Sequence, residues 1–278
     1  MSILSPKPTW ETGIARSAAE SVAPGKWQGL VGALSPSFGP TGATLRDVSG
    51  FQNHGTLTNM DPATDWVVGE NGYALDFDGT LDHIALGDPS ALNVSGPLSV
   101  FVMFRSTATI NNMPLIARWG TDYSYVLMAD YRTDNALVFF ARVSGVSKEA
   151  LGTVATYNDG NWHFATGVFD GANVRLYTDL ETITGDATTG PISTPAQNVI
   201  IGNYSNLPGA SYFPGQIAQV LIYNRALTPS EIRELYADPF EMFRLMRQMY
   251  ASAGAAPTDI GGEVFRSNVF GNRIVRAA

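Results

Sequence analysis

Acids, histidines and aromatic residues are the groups through which this chain could act, and their spacing decides between the options. Cleaving a glycosidic bond takes two carboxyl groups about 5–9 Å apart, one on either side of the bond. Asp76 and Asp78 alternate on one face of a strand-like stretch, where they read more simply as solvent-facing strand and turn residues. No two Glu residues share a strand, and most fall in turns or in helical segments near the C-terminus. There is no Cys and no Gly-x-Ser-x-Gly turn to expose a serine nucleophile. His54, His83 and His163 are too scattered to share a metal ion. Neither a Walker sequence nor a strand-linked Gly-x-Gly-x-x-Gly is present to cradle phosphate. The chain therefore reads as a non-enzymatic protein.

Sugar binding is the chemistry that remains. Aromatic rings can stack on pyranose faces while Asp and Asn accept and donate to hydroxyls. Trp119, Asp122, Tyr123, Tyr125 and Tyr131 gather around predicted loops, and Tyr204, Asn206 and Tyr212 form a second group in a Gly-Pro-containing loop. The competing reading is that aromatics at alternating strand positions belong to the core.

Composition says what must position these residues. The chain has 278 residues, 45% hydrophobic and 15% charged, with 28 Gly. That mixture suits a turn-rich β protein. The net charge of −8 argues against a nucleic-acid surface. No apolar run is long enough for a membrane span, so no membrane insertion is expected. The first ten residues hold no signal-peptide core, so an extracellular role would need another route, such as host lysis or a particle.

The strongest strand signal is Gly72–Leu86. Tyr73, Leu75 and Phe77 alternate with polar residues, Asp78-Gly79 turns the chain, and Ile84 and Leu86 point inward on a second strand. We expect a hairpin here. Leu98 to Phe104 is apolar on both faces and predicts a central strand. Strands are also expected over 113–119, 123–129, 136–143, 174–178 and 199–202, and one with Trp162, Phe164, Thr166 and Val168 on a single face. About ten to twelve strands at this spacing indicate a sandwich. Thr228-Pro229-Ser230-Glu231 starts a helix with a capping box, and Asp238-Pro239 ends it. Residues 240–250 predict a second, amphipathic helix.

Three of these stretches carry a resemblance. Gly72–Leu86, Asn161–Gly171 and Tyr212–Thr228 resemble, in order, the first core strand, the central strand and the exit strand of a laminin G-like domain of the concanavalin A-like lectin/glucanase superfamily. The resemblance covers roughly residues 47 to 237 and implies a jelly-roll sandwich of two antiparallel sheets. It also implies a loop, Asp47 to Asn59, in which Asp47 and Asn53 stand where relatives hold a structural Ca²⁺. Relatives often place two acids in the last strand, where this chain has Ala218-Gln219, so no cofactor is expected, with Ca²⁺ as the alternative. Hydrolases of the superfamily carry acids alternating along one strand, an arrangement this chain lacks.

The expected organisation is an N-terminal arm over 1–45, a sandwich over 46–238, and a helix with an assembly tail over 239–278. In the tail Val264, Phe265, Val269, Phe270 and Ile274 are apolar and Arg266, Arg273 and Arg276 basic, as suits a strand added to another chain. The arms resemble those of phage-encoded virion proteins built on this domain. That resemblance implies a structural protein on the virion surface, as capsid decoration, head fibre or tail component. Its partners would be other virion proteins, further copies of itself and cell-surface glycans. A free lectin and a polysaccharide-degrading enzyme are the alternatives.

Overall fold

The computed structural model describes residues 8–246 except 70–71, 110–111, 121, 132–135, 154–156, 180 and 205–210, with 130–131 described by backbone alone. Sixteen strands are found among the described residues. They begin with β1 (Leu30–Leu34), β2 (Thr44–Leu45), β3 (Gly55–Thr58), β4 (Trp66–Gly69), β5 (Gly72–Asp78) and β6 (His83–Gly87). Next come β7 (Leu98–Arg105), β8 (Met113–Trp119), β9 (Tyr123–Tyr131), β10 (Ala136–Val143) and β11 (Val146–Leu151). The last are β12 (His163–Phe169), β13 (Asn173–Thr178), β14 (Thr182–Ala187), β15 (Val199–Ile201) and β16 (Pro214–Tyr223). Helix α1 (Pro229–Ala237) follows.

The strands form two antiparallel sheets, as expected. The first runs β14-β13-β12-β7-β16-β5-β4, with β1 beside β5 along the same edge of β16. The second runs β11-β10-β9-β8-β15-β6-β3-β2. Between them lies the main core, to which β7 gives Leu98, Val100, Val102 and Phe104 and the facing strands give Leu115, Leu127 and Phe139. The sheets approach closely at Gly167, where an added Cβ would lie 2.1 Å from the Phe139 ring.

The first sheet is buried on its outer face too. Phe101 and Met103 of β7 and Leu221 and Tyr223 of β16 lie under Ile232 and Leu235 of α1 and under Phe38, Met242 and Phe243. This explains the double-sided apolar pattern of β7. It also explains Trp162, Phe164 and Val168, whose shared face packs into this outer layer and not into the sandwich. The capping box of α1 forms as predicted: the Glu231 N–H donates to the Thr228 hydroxyl and the Thr228 N–H to the Glu231 carboxylate.

Three expectations change. Strands β5 and β6 are not a hairpin, because β5 pairs with β4 and β16 while β6 pairs with β3 and β15 in the other sheet. Asp78-Gly79 is an arch between sheets. Asp78 Oδ1 accepts the N–H groups of Thr80, Leu81 and Asp82, and Gly79 takes φ +75° against Pro214. Residues 8–45 are folded onto the body: β1 pairs with β16, and Trp10 packs edge-on against Phe38. Strand β1 escaped the periodicity reading because all five of its residues are buried. Finally, the second helix expected over 240–250 does not form over 240–245, where Glu241–Phe243 is a 3₁₀ turn; residues 247–250 lie outside the described residues. The backbone beyond it bridges Ser21 through Leu245, and Phe240, Met242 and Phe243 all turn inward, which a helical stripe would not allow. Residues 247–278, with every tail residue named above, lie outside the described residues.

Candidate functional site

While the outer face of the first sheet is covered, that of the second carries an aromatic cleft. It is built on β8, β9, β10 and β11. Trp119 stacks on Tyr123 with centroids 4.9 Å apart and planes at 29°. Tyr204 lies tilted at 46° against Trp119, with centroids 5.0 Å apart. Phe140 meets Tyr123 edge-on at 6.5 Å. Tyr123, Phe140 and Met128 are buried and form the floor, while Trp119 and Tyr204 are half-buried walls. Asn112 and Ser147 complete a cleft of about 270 Å³.

A bulge makes this arrangement. In the ladder Arg118 faces Tyr125 and Trp119 faces Tyr123, so Ser124 is an extra residue on β9. An extra residue breaks strand alternation. Tyr123 therefore joins the outer cluster while Tyr125, two positions on, enters the main core. Ser124 is pinned from below by Arg118, which is fully buried: Nη1 donates to Ser124 Oγ at 3.1 Å and Asn93 Oδ1 at 2.8 Å, and Nη2 to Asp88 Oδ1 at 2.5 Å. Burying a guanidinium is costly unless it is paired, so this one holds a demanding position.

The polar rim is ordered as well. Asp122 Oδ1 accepts the Tyr123 N–H at 2.8 Å and pairs with Arg142 Nη1 at 3.0 Å. The Arg142 guanidinium lies 5.7 Å from the Tyr123 ring centroid. The Tyr123 hydroxyl bonds to Ser147 Oγ.

Of the predicted sugar-binding residues, the structure brings together Trp119, Asp122, Tyr123 and Tyr204. Tyr125 is a correction: it is fully buried on the inner face, and burial raises its pKa. Tyr212 stands apart, beside His83 at 6.2 Å. Asn206 lies outside the described residues, as does the side chain of Tyr131. The sequence reading missed Asn112, Met128, Phe140, Arg142 and Ser147. Only the strand register places these beside Tyr123, and a register is not readable from one strand alone.

Asp47 and Asn53 do come together, but as a loop clasp. Asp47 Oδ1 accepts the N–H of Ala33 and of Ser49, and Oδ2 accepts the Ser49 hydroxyl and the Asn53 N–H, all at 2.9 Å. Asn53 Nδ2 donates to the Val31 carbonyl at 2.7 Å. Four donors fill the carboxylate's accepting positions, so the pair does not fit a calcium ion. Ala218 and Gln219 are fully buried, with Gln219 Nε2 bonded to the Pro239 carbonyl.

The carboxylates of a further cleft are likewise engaged. A cleft of about 570 Å³ beside α1 includes Asp179 and Glu181. Asp179 holds His163 Nδ1 at 2.9 Å and the Phe164 N–H, while Glu181 accepts from Thr153. The other ring nitrogen of His163 meets Asp159 at 3.0 Å. Burial works to lower the His163 pKa, yet the two carboxylates raise it overall. Hydrogen bonds from Asn161, then from His163, lower Asp159 to about 2. Asp78 and Asp82 also differ: burial is outweighed at Asp78 by backbone N–H groups, which lower it, while burial and neighbouring acids raise Asp82. Both serve the arch.

Comparison with known proteins agrees with this architecture. The family described as concanavalin A-like lectin/glucanases superfamily matches residues 78–233, more than half of the chain. No curated protein sequence matches. Similar solved structures include domain 4 of the extracellular arabinanase AbnA from Geobacillus stearothermophilus, in complex with arabinotriose. It is 18% identical at a TM-score of 0.52, covering 74% of this chain and 97% of that one. The receptor binding domain of botulinum neurotoxin D is 12% identical at 0.57, covering 77% and 54%. Trypanosoma rangeli sialidase in complex with sialic acid is 15% identical at 0.53, covering 75% and 32%. The chain thus spans about half of the toxin domain and a third of the sialidase. At these identities the likeness is one of fold.

Proposed function

The chain belongs to the concanavalin A-like lectin/glucanases superfamily, and on that premise we propose that it is a non-enzymatic carbohydrate-binding module whose binding site is the cleft of Trp119, Tyr123 and Tyr204. The observation that carries this reading is the stacked Trp119–Tyr123 pair, which with half-buried Tyr204 lines a cleft in the outer aromatic cluster of the second sheet. Trp119 packs against the buried cluster with one part and stands half-buried at the cleft wall with the rest, and aromatic clefts of this kind mark ligand sites. At about 270 Å³ the cleft is smaller than the roughly 300–1,000 Å³ of pockets that enclose whole ligands. It suits one sugar ring, held weakly and multiplied by several copies. Ser147 and Asn112 in its lining offer hydroxyl partners, with the Asp122–Arg142 pair at the rim. That the arabinanase domain was solved with arabinotriose supports the reading by fold only.

Catalysis has no support here, since Asp122 is spent on Arg142 and the cleft lining contains no Asp or Glu among the described residues. Display of the sandwich on a virion, with capsid or tail proteins and further copies as partners, is the finer proposal. It rests on the sequence of residues 257–278, because residues 8–45 are folded onto the body. A glycan array probed with the native chain and with Trp119→Ala tests the binding site. Signals on defined saccharides that fall in the variant support it, and equal signals contradict it.

A further inference from the structure

A second cleft, of about 600 Å³, lies between the N-terminal segment and the loop after β2. Its centre is Trp10, which is fixed in place: Nε1 donates to the Gly39 carbonyl at 3.2 Å and the ring packs edge-on to Phe38 at 6.0 Å. Two guanidiniums rest on this one ring, with Cζ of Arg16 5.9 Å and Cζ of Arg46 5.6 Å from its centroid. Arg16 and Arg46 are both exposed, and neither guanidinium has an ion pair or hydrogen bond among the described residues. By contrast Arg118, Arg142, Arg175, Arg225 and Arg244 are each paired with a carboxylate. Two arginines without a carboxylate partner thus rest on one indole ring and line one cleft, in a chain of net charge −8.

The remaining groups are also suited to an anion. The Asp47 N–H donates to His54 Nδ1 at 3.0 Å, so the proton of the neutral imidazole is on Nε2, a further donor at the cleft. Asp47 is the acid in the lining, and its two oxygens are turned to four donors of the loop and β1. The Glu20 carboxylate accepts the Arg16 backbone N–H and leaves its guanidinium free. Guanidinium groups bind tetrahedral oxyanions through parallel N–H donors, and stacking on an aromatic ring holds them in place beforehand.

We propose that this cleft is an anion site in which Arg16 and Arg46 bind a tetrahedral oxyanion, sulfate or phosphate, either free or esterified to a saccharide. It stands apart from the aromatic cleft and shares no lining residue with it.

The test follows the arginine Nε–Hε signals by NMR at constant ionic strength. Sodium sulfate, sodium phosphate, glucose 6-sulfate and glucose are added in turn, with sodium chloride as control. The Arg16 and Arg46 signals should shift to saturation with sulfate, phosphate or the sulfated sugar, and not with glucose. Arg16→Ala or Arg46→Ala should weaken that binding by about tenfold or more. Arg233→Ala should leave it unchanged, and all three variants should keep the native melting temperature. Tighter binding of glucose 6-sulfate than of either inorganic ion assigns the anion to a saccharide, and equal binding assigns it to the free ion. Shifts that match chloride, that glucose reproduces, or that persist in both arginine variants overturn the proposal.

Discussion

Tyr123 and Tyr125 face opposite ways because Ser124 bulges between them, and the proposed function turns on that one residue. Strict alternation would have sent both tyrosines to the same side. Trp119→Ala removes two aromatic contacts, each worth about 0.5–1.5 kcal/mol. It should lower the melting temperature by about 2–6 °C and weaken saccharide binding by about tenfold. A second residue-scale prediction concerns His163. Both its ring nitrogens meet carboxylates, which only accept, so the bound form is the doubly protonated imidazolium. Its folded pKa is raised above the usual 6.5, so its stabilising contribution is complete below that value and lost as pH rises through the folded pKa. Asp159, lowered from 3.8 to about 2, contributes fully above 3.8 and fades as pH falls toward 2. The cluster therefore stabilises most between about pH 4 and 6.5. The native melting temperature should fall as pH rises from 6 to 9, and His163→Gln should flatten that fall. Parallel curves would show that the clamp carries no charge.

At the scale of elements, local signals were readable and partnerships were not. The α1 capping box is written in four consecutive residues, and the structure forms it as read. Thr228→Ala should cost about 1 kcal/mol, a drop of about 2–4 °C in melting temperature. Strand β7 was likewise legible, since a strand buried on both faces has no polar side to hide. The Asp78-Gly79 turn, however, is compatible with a hairpin or an arch. The choice is made by β16, which pairs with β5 from more than a hundred residues away. The aromatic cleft was half legible for the same reason. Trp119, Asp122 and Tyr123 are neighbours in sequence, but Phe140 and Ser147 arrive only through strand pairing.

Viewed whole, the centre of the first sheet is packed on both faces, while the outer face of the second carries a smaller cluster of its own around Tyr123 and Phe140. Residues 8–45, α1 and the Glu241–Phe243 turn pack on the outer side of the first sheet, which is why the segment before the sandwich is part of the body. With Asp47 saturated by four hydrogen bonds, chelation by EDTA should move the melting temperature by less than about 2 °C. A larger drop that Ca²⁺ restores would reveal an ion site. Residues 257–278 should serve assembly: truncation after Ala256 should leave the melting temperature unchanged while abolishing oligomers or particle attachment. Loss of stability in a chain that still assembles would assign the tail to its own sandwich.

The central claim is that the Trp119 cleft binds sugar, and the methyl group of Met128 on its floor reports this most directly. With ¹³C-methyl methionine in the native chain, a saccharide found by array should shift the Met128 signal to saturation, and Trp119→Ala should abolish the shift. If the saccharide binds while the Met128 signal stays fixed, the sugar sits elsewhere and the assignment of this cleft is wrong.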